Sequence, residues 1–243
     1  MDAKFSEVQS VAISTEDLEK RLLGKQAEWL MECYLKQSHR YELLASQVQI
    51  QGDNSTLGEL DFLIFDRETH TPIHLEMACK FYLLDTTSET TQLWIGPNRR
   101  DSLPKKYQKW RTRQFPILYH EATKKALRPL ISYPVEAFQQ QCYLRAFLFV
   151  PEGYDVSVLS NSERNCLAGT YRGKEALEML NATAQYALPQ KKKWLVPPSI
   201  YDVWMSHTEA RAKISEAIQQ QRAVLVYEKK GDFINQFFMV WWR

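Results

Sequence analysis

The chain is poor in glycine: 8 of 243 residues, under half the usual share of roughly 7%. No two of them stand at Gly-x-Gly spacing. A dinucleotide fingerprint and a Walker loop are thereby excluded, because both need glycines where backbone meets phosphate. Cysteine is also sparse. Cys33, Cys79, Cys142 and Cys166 form no Cys-x-x-Cys pair and sit among apolar neighbours, so they are expected to be buried, reduced thiols rather than a disulfide frame or zinc site. The N-terminus carries no apolar signal core, and no apolar run reaches the roughly 18 residues that span a bilayer. The expectation is a cytoplasmic protein with no membrane partner. Charge of one sign is missing as well: 31 Lys and Arg against 29 Asp and Glu leave +2, so a nucleic-acid surface would have to be a local patch. What is present is an ordinary globular composition, 44% hydrophobic and 25% charged, long enough to bury a full core.

Periodicity orders the first two thirds of the chain. Thr15 is a candidate N-cap, and Leu18, Leu22, Ala27, Leu30, Met31, Tyr34 and Leu35 recur at helical spacing, which predicts a helix over 15–37. Strands are predicted at 41–51, 57–66 and 72–84, separated by the turn clusters 52–55 and 67–70. The third is apolar on both faces, as a central strand is. A basic helical region follows at 101–127 and a buried strand at 142–151. Further on, the sequence predicts a short helix at 174–182, a helix at 207–221 and strands at 223–228 and 234–242. The last of these, with Phe237, Phe238, Met239, Val240, Trp241 and Trp242, must be covered by the core or by a second subunit, the core being the expectation. Helix, three-strand meander, helix, strand is an α/β pattern on one mixed β-sheet. The expected organisation is a single domain over 1–243, with a core at about 15–151 and a C-terminal α+β elaboration over 152–243.

The chemistry concentrates between Leu57 and Tyr82. Side chains alternate along a strand, so Glu59, Asp61, Leu63 and Phe65 share one face, and His74, Glu76, Ala78, Lys80 and Tyr82 share one face of the next strand. If the two strands pair antiparallel, Asp61 and Glu76 converge, with Lys80 further along. Two neighbouring carboxylates in apolar strands repel and lose hydration. A divalent cation, Mg²⁺ or Mn²⁺, removes both penalties, since such ions take one or two carboxylates, waters and a substrate phosphate. With a lysine assisting the attacking water, these are the parts of phosphodiester hydrolysis. The competing reading is a structural salt-bridge network of Asp61, Glu76 and Lys80. His74 shares the Glu76 face, and a satisfied structural role is the simpler expectation for it.

Between residues 99 and 113 seven cations (Arg99, Arg100, Lys105, Lys106, Lys109, Arg111 and Arg113) face one acid, Asp101, with Trp94, Tyr107 and Trp110 nearby. Cations take phosphates and aromatic faces take bases, so this stretch is a candidate nucleic-acid surface. A solvated helix face is the alternative.

The segments Leu57-Gly-Glu-Leu-Asp-Phe-Leu-Ile-Phe-Asp66 and His74-Leu-Glu-Met-Ala-Cys-Lys-Phe-Tyr-Leu83 resemble the PD-(D/E)XK nuclease superfamily. Together with Trp94-Ile-Gly-Pro-Asn98 and Asp101-x-Leu103, they are similar to the bacterial family called domain of unknown function 1853. The resemblance covers about residues 20–150. It implies a restriction-endonuclease-like core, with a central mixed sheet flanked by helices, and a nuclease acting on nucleic acid, DNA first. It also implies Asp61 and Glu76 as metal ligands, Glu28 as an additional acid near the metal, and Gln114 as a substrate contact. One position departs from the pattern. The superfamily's lysine stands two residues after the glutamate, where this chain has Ala78; Lys80 keeps the face but lies about 6–7 Å further along the strand. A nuclease-like protein that binds nucleic acid or a protein partner without cutting is the alternative this departure raises.

Overall fold

The computed structural model describes residues 20–87 and 93–243. Helix α1 (Leu23–Gln37) begins later than the expected 15–37; Thr15 and Leu18 lie outside the described residues, and Leu22 is the exposed residue preceding the helix. Its buried positions Leu23, Ala27, Met31 and Leu35 recur every four residues, one stripe of a 3.6-residue helix. Strands β1 (Tyr41–Gln51) and β2 (Thr56–Asp66) form an antiparallel hairpin, closed where the Gly52 amide donates to the Ser55 carbonyl at 2.8 Å. Strand β3 (Thr71–Asp85) is buried at almost every position, as its two-sided apolar pattern predicts, and pairs antiparallel with β2. Strand β4 (Leu93–Ile95) adds to the far end of β3.

The basic helical region is not one helix. It runs as α2 (Leu103–Lys109), a π-helical turn (Trp110–Gln114), α3 (Phe115–Ile117) and α4 (Glu121–Leu127). The break follows from Pro116, which has no N–H to give and whose ring crowds the carbonyl four residues earlier. Widening the turn relieves that crowding, and the Phe115 N–H reaches back to the Trp110 carbonyl. Strand β5 (Gln139–Pro151) starts three residues before the predicted strand. Then come α5 (Asn161–Asn165), β6 (Leu167–Arg172), β7 (Gln185–Ala187), α6 (His207–Gln219), β8 (Val224–Lys230) and β9 (Phe233–Met239). The helix expected at 174–182 is a 3-10 segment at Lys174–Met179. No helix among the described residues is long and apolar enough to cross a membrane.

Among the described residues the fold is mixed α/β, with nine strands in a mixed sheet and helices packed on it. The chain divides into two compact units, residues 1–79 with 107–145, and residues 80–106 with 146–243. In the first, Ile50, Leu60, Leu63, Leu118, Leu127, Val135 and Phe138 make the core; each fully buried large aliphatic side chain contributes about 1.5–3 kcal/mol. In the second, β5–β6 and β6–β9 are parallel while β7–β8 and β8–β9 are antiparallel. Its core includes Tyr186, Ala210, Ile214, Val226, Phe237 and Met239, so the apolar C-terminal strand is covered as expected. The cysteines correct an expectation: all four are free, but only Cys79 is buried, and Cys142 is exposed. Cys142 stands in the exposed first half of β5, where apolar neighbours in sequence do not mean apolar neighbours in space.

Candidate active site

Leu63 lies directly opposite His74 in the β2–β3 ladder, so their side chains share a face. Counting two residues back along β2 and two forward along β3 puts Asp61 and Glu76 on that face. The paired register runs from Asp66–Thr71 to Phe62–Leu75 and ends there. One step further the Asp61 carboxylate accepts the Met77 N–H at 2.8 Å, doing for that amide what a strand carbonyl does within a ladder. Asp61 is 6% exposed and Glu76 fully buried. A carboxylate without water holds its charge only where donors replace the lost hydration. The partners of Glu76 are the His74 imidazole, whose Nε2 lies 3.0 Å from Oε1, and the Gln114 side-chain amide, which donates to Oε2. A carboxylate offers about four lone-pair sites, and these two bonds use half of them.

The π-turn explains how Gln114 arrives there. Trp110 is buried at 1% exposure and anchors the start of the turn; Arg111, Thr112 and Arg113 face solvent, and Gln114 at its end points to Glu76. Phe115, the next residue, sets its ring edge-on to His74 at 6.0 Å between centroids. Its carbonyl accepts the Gln140 side-chain amide at 2.7 Å, and the same amide nitrogen lies 3.4 Å from His74 Nδ1.

The model of one protein family, Domain of unknown function (DUF1853), matches residues 2–234. The chain belongs to this family. The match extends far past the stretch that carried the resemblance in sequence. No curated protein and no solved structure matches the chain.

The other predicted site residues of this DUF1853 chain are distributed as follows. Glu28 on α1 is bound to Lys25 at 2.6 Å, and the same amine bonds Glu59 on β2, also at 2.6 Å. Burial pulls the Lys25 amine down, but its hydrogen bonds to Glu28 and Glu59 outweigh that and hold it above its ordinary value. Lys80 pairs with Asp101 at 2.6 Å. Arg99 is engaged twice, with Asp85 at 2.9 Å and over the Trp242 ring at 4.8 Å. Among the described residues Arg100, Lys105, Lys109, Arg111 and Arg113 make no ion pair. Lys106 makes a further interaction besides its backbone bond to Ser102. Of the three aromatics near the basic run, only Tyr107 is open to a base, at 50% exposure. Trp94 is buried and its indole N–H donates to Glu163, and Trp110 is core; both read as base platforms in sequence and are structural instead. Sequence reasoning passed over Lys25 and Gln140. Nothing in Gln139-Gln140-Gln141 marks its middle member, whereas the parity of His74 with Glu76 was a usable signal.

Proposed function

We propose that the protein is a divalent-cation-dependent nuclease of the PD-(D/E)XK type that hydrolyses DNA phosphodiester bonds, with a restriction-endonuclease-like core. The observation that carries this reading is that one short turn joins the phosphate-binding chemistry to the acidic chemistry. Among the described residues Lys109, Arg111 and Arg113 have no ion-pair partner, and Gln114, the next residue, meets Glu76. The order α1, meander, helical region, β5 supports the fold assignment.

Asp61 and Glu76 are the residues that would hold the ion. Among the described residues no group of three or more His, Cys, Asp and Glu is gathered as a metal site; on this reading the donor set is the two carboxylates, with water. Mg²⁺ is commonly held by one or two carboxylates with several retained waters, and the set fits. When bound, such an ion polarises the phosphodiester and favours departure of the leaving oxygen. Arg111 and Arg113 would take backbone phosphates, and Asp61 and Glu76 would hold the ion at the scissile bond.

The test is cleavage of labelled duplex DNA with Mg²⁺ or Mn²⁺, comparing wild type with Asp61→Asn, which keeps an acceptor for the Met77 N–H. Loss of at least 100-fold in rate, about 2.7 kcal/mol of barrier, with an unchanged melting temperature is expected. Cleavage that survives both the substitution and a chelator overturns the assignment. A second reading, binding without cutting, is favoured by the 2.6 Å ion pair that engages Lys80 with Asp101 and by Ala78 at the superfamily's lysine position. It predicts salt-sensitive DNA binding with no cation-dependent cleavage by the wild-type protein.

A further inference from the structure

His74 and Glu76 stand two residues apart on β3 with both side chains fully enclosed. The acid–histidine bond by itself leaves open which nitrogen carries the proton, and Gln140 settles it. The Phe115 carbonyl is an acceptor only, so the Gln140 group 2.7 Å from it is the amide nitrogen. That nitrogen has a second hydrogen, and it faces His74 Nδ1 at 3.4 Å. Two donors cannot face one another, so Nδ1 is the bare nitrogen and the proton sits on Nε2, where it is given to Glu76 Oε1. The connections close on themselves: Phe115 carbonyl, Gln140, His74, Glu76, Gln114, with Gln114 and Phe115 adjacent in the chain. Each member is held by its neighbours, so the Glu76 carboxylate is fixed from both oxygens by N–H groups.

The geometry points to His74 as the positioning residue of Glu76, its tautomer set by Gln140, orienting the carboxylate for a divalent cation. This rests on the reading of Asp61 and Glu76 as the ligand pair. A histidine kept only for packing would leave cation affinity untouched when replaced by a folded variant. A histidine that orients a ligand would not, since partners behind a metal ligand are typically worth 10–100-fold in affinity.

The experiment is Mn²⁺ titration calorimetry on the full chain, with melting temperature recorded alongside, and a ¹⁵N spectrum of the metal-free protein. Wild type binds Mn²⁺ and Glu76→Gln does not. His74→Leu weakens binding about 10–100-fold, and His74→Gln, which returns an N–H near the position of Nε2, restores most of it. The spectrum shows His74 with a bare Nδ1 and a protonated Nε2. Should His74→Leu not fold, Gln140→Leu, which releases the tautomer, lowers affinity in the same direction. Affinity equal to wild type in the folded variant, or a proton on Nδ1, overturns the positioning role while Glu76→Gln still reports the ligand pair. No Mn²⁺ uptake by wild type overturns the ligand pair itself, and the inference with it.

Discussion

Two enclosed carboxylates of the first unit are stabilised by different donors, and the difference separates structure from candidate chemistry. Asp66, 3% exposed, meets the guanidinium fork of Arg40, Nε to Oδ1 at 3.1 Å and Nη2 to Oδ2 at 2.7 Å, and takes the Glu68 N–H as well. A full positive charge compensates it. Among the described residues Glu76 has an imidazole and an amide, neither a fixed positive charge, and on the proposed reading this leaves the carboxylate for a cation. The Arg40 hydrogen bonds hold the Asp66 carboxyl below its ordinary 3.8, against the upward pull of burial. A carboxyl depressed in the folded state stabilises the protein above the unfolded value and loses that contribution as pH falls through the folded one. Asp66→Ala is therefore expected to cost about 1–3 kcal/mol at pH 7, toward the lower end because Arg40 is 40% exposed. The gap from wild type should narrow steadily below pH 4. Urea midpoints across pH 2.5–7 measure it; a gap independent of pH means the charge pair contributes nothing.

At the scale of elements, legibility in the sequence followed the reach of the signal. β2 and β3 were readable because alternation over eleven and fifteen residues fixes which side chains share a face, and with it the common face of Asp61 and Glu76. The π-turn was not, since helical spacing on both sides conceals what Pro116 does between them. Lys25 and Gln140 were invisible because their roles come from partners 34 and 66 residues away. β6 was missed for a different reason. Its Leu167-Ala-Gly-Thr-Tyr-Arg172 is short and carries a glycine, which reads as a strand breaker. In the structure Gly169 is opposite Phe149 of β5, and a Cβ there would come within 2.3 Å of the Gln236 backbone carbonyl. Glycine is required by the close approach of β9 backbone, not by chain reversal. Gly169→Ala should destabilise by about 1–3 kcal/mol. Gly24→Ala, where among the described residues nothing beyond the chain neighbours and the helix's own backbone lies within 4 Å of the added carbon in α1, should instead stabilise by about 0.4–1 kcal/mol. Thermal melts of the two variants should move in opposite directions; a shared direction would mean that crowding at Gly169 is relieved by strand movement.

The whole molecule carries a net charge of +2, too little to attract a polyanion over its entire surface. On the proposed reading, affinity for DNA comes from a few unpaired cations, and salt dependence counts them. Each phosphate neutralised by a lysine or arginine releases counterions and adds about −0.9 to the slope of log K against log salt. Pairing removes Arg99 from the count, because Asp85 and Trp242 already hold it. Of the basic run at 99–113 it leaves, in the first unit and among the described residues, Lys109, Arg111 and Arg113. Replacing these three with alanine should therefore make the slope shallower by about 2.7. The buried anchor Trp110 and the Gln114–Glu76 bond are left in place, so the fold should be retained. Arg99→Ala should leave the slope as it is. Fluorescence anisotropy of a labelled duplex between 50 and 200 mM salt, without divalent cation so that binding is read apart from cleavage, gives both numbers. If the triple variant keeps the wild-type slope, the exposed side of the π-turn does not touch the backbone. The link from phosphate binding through Gln114 to Glu76 then loses its first step.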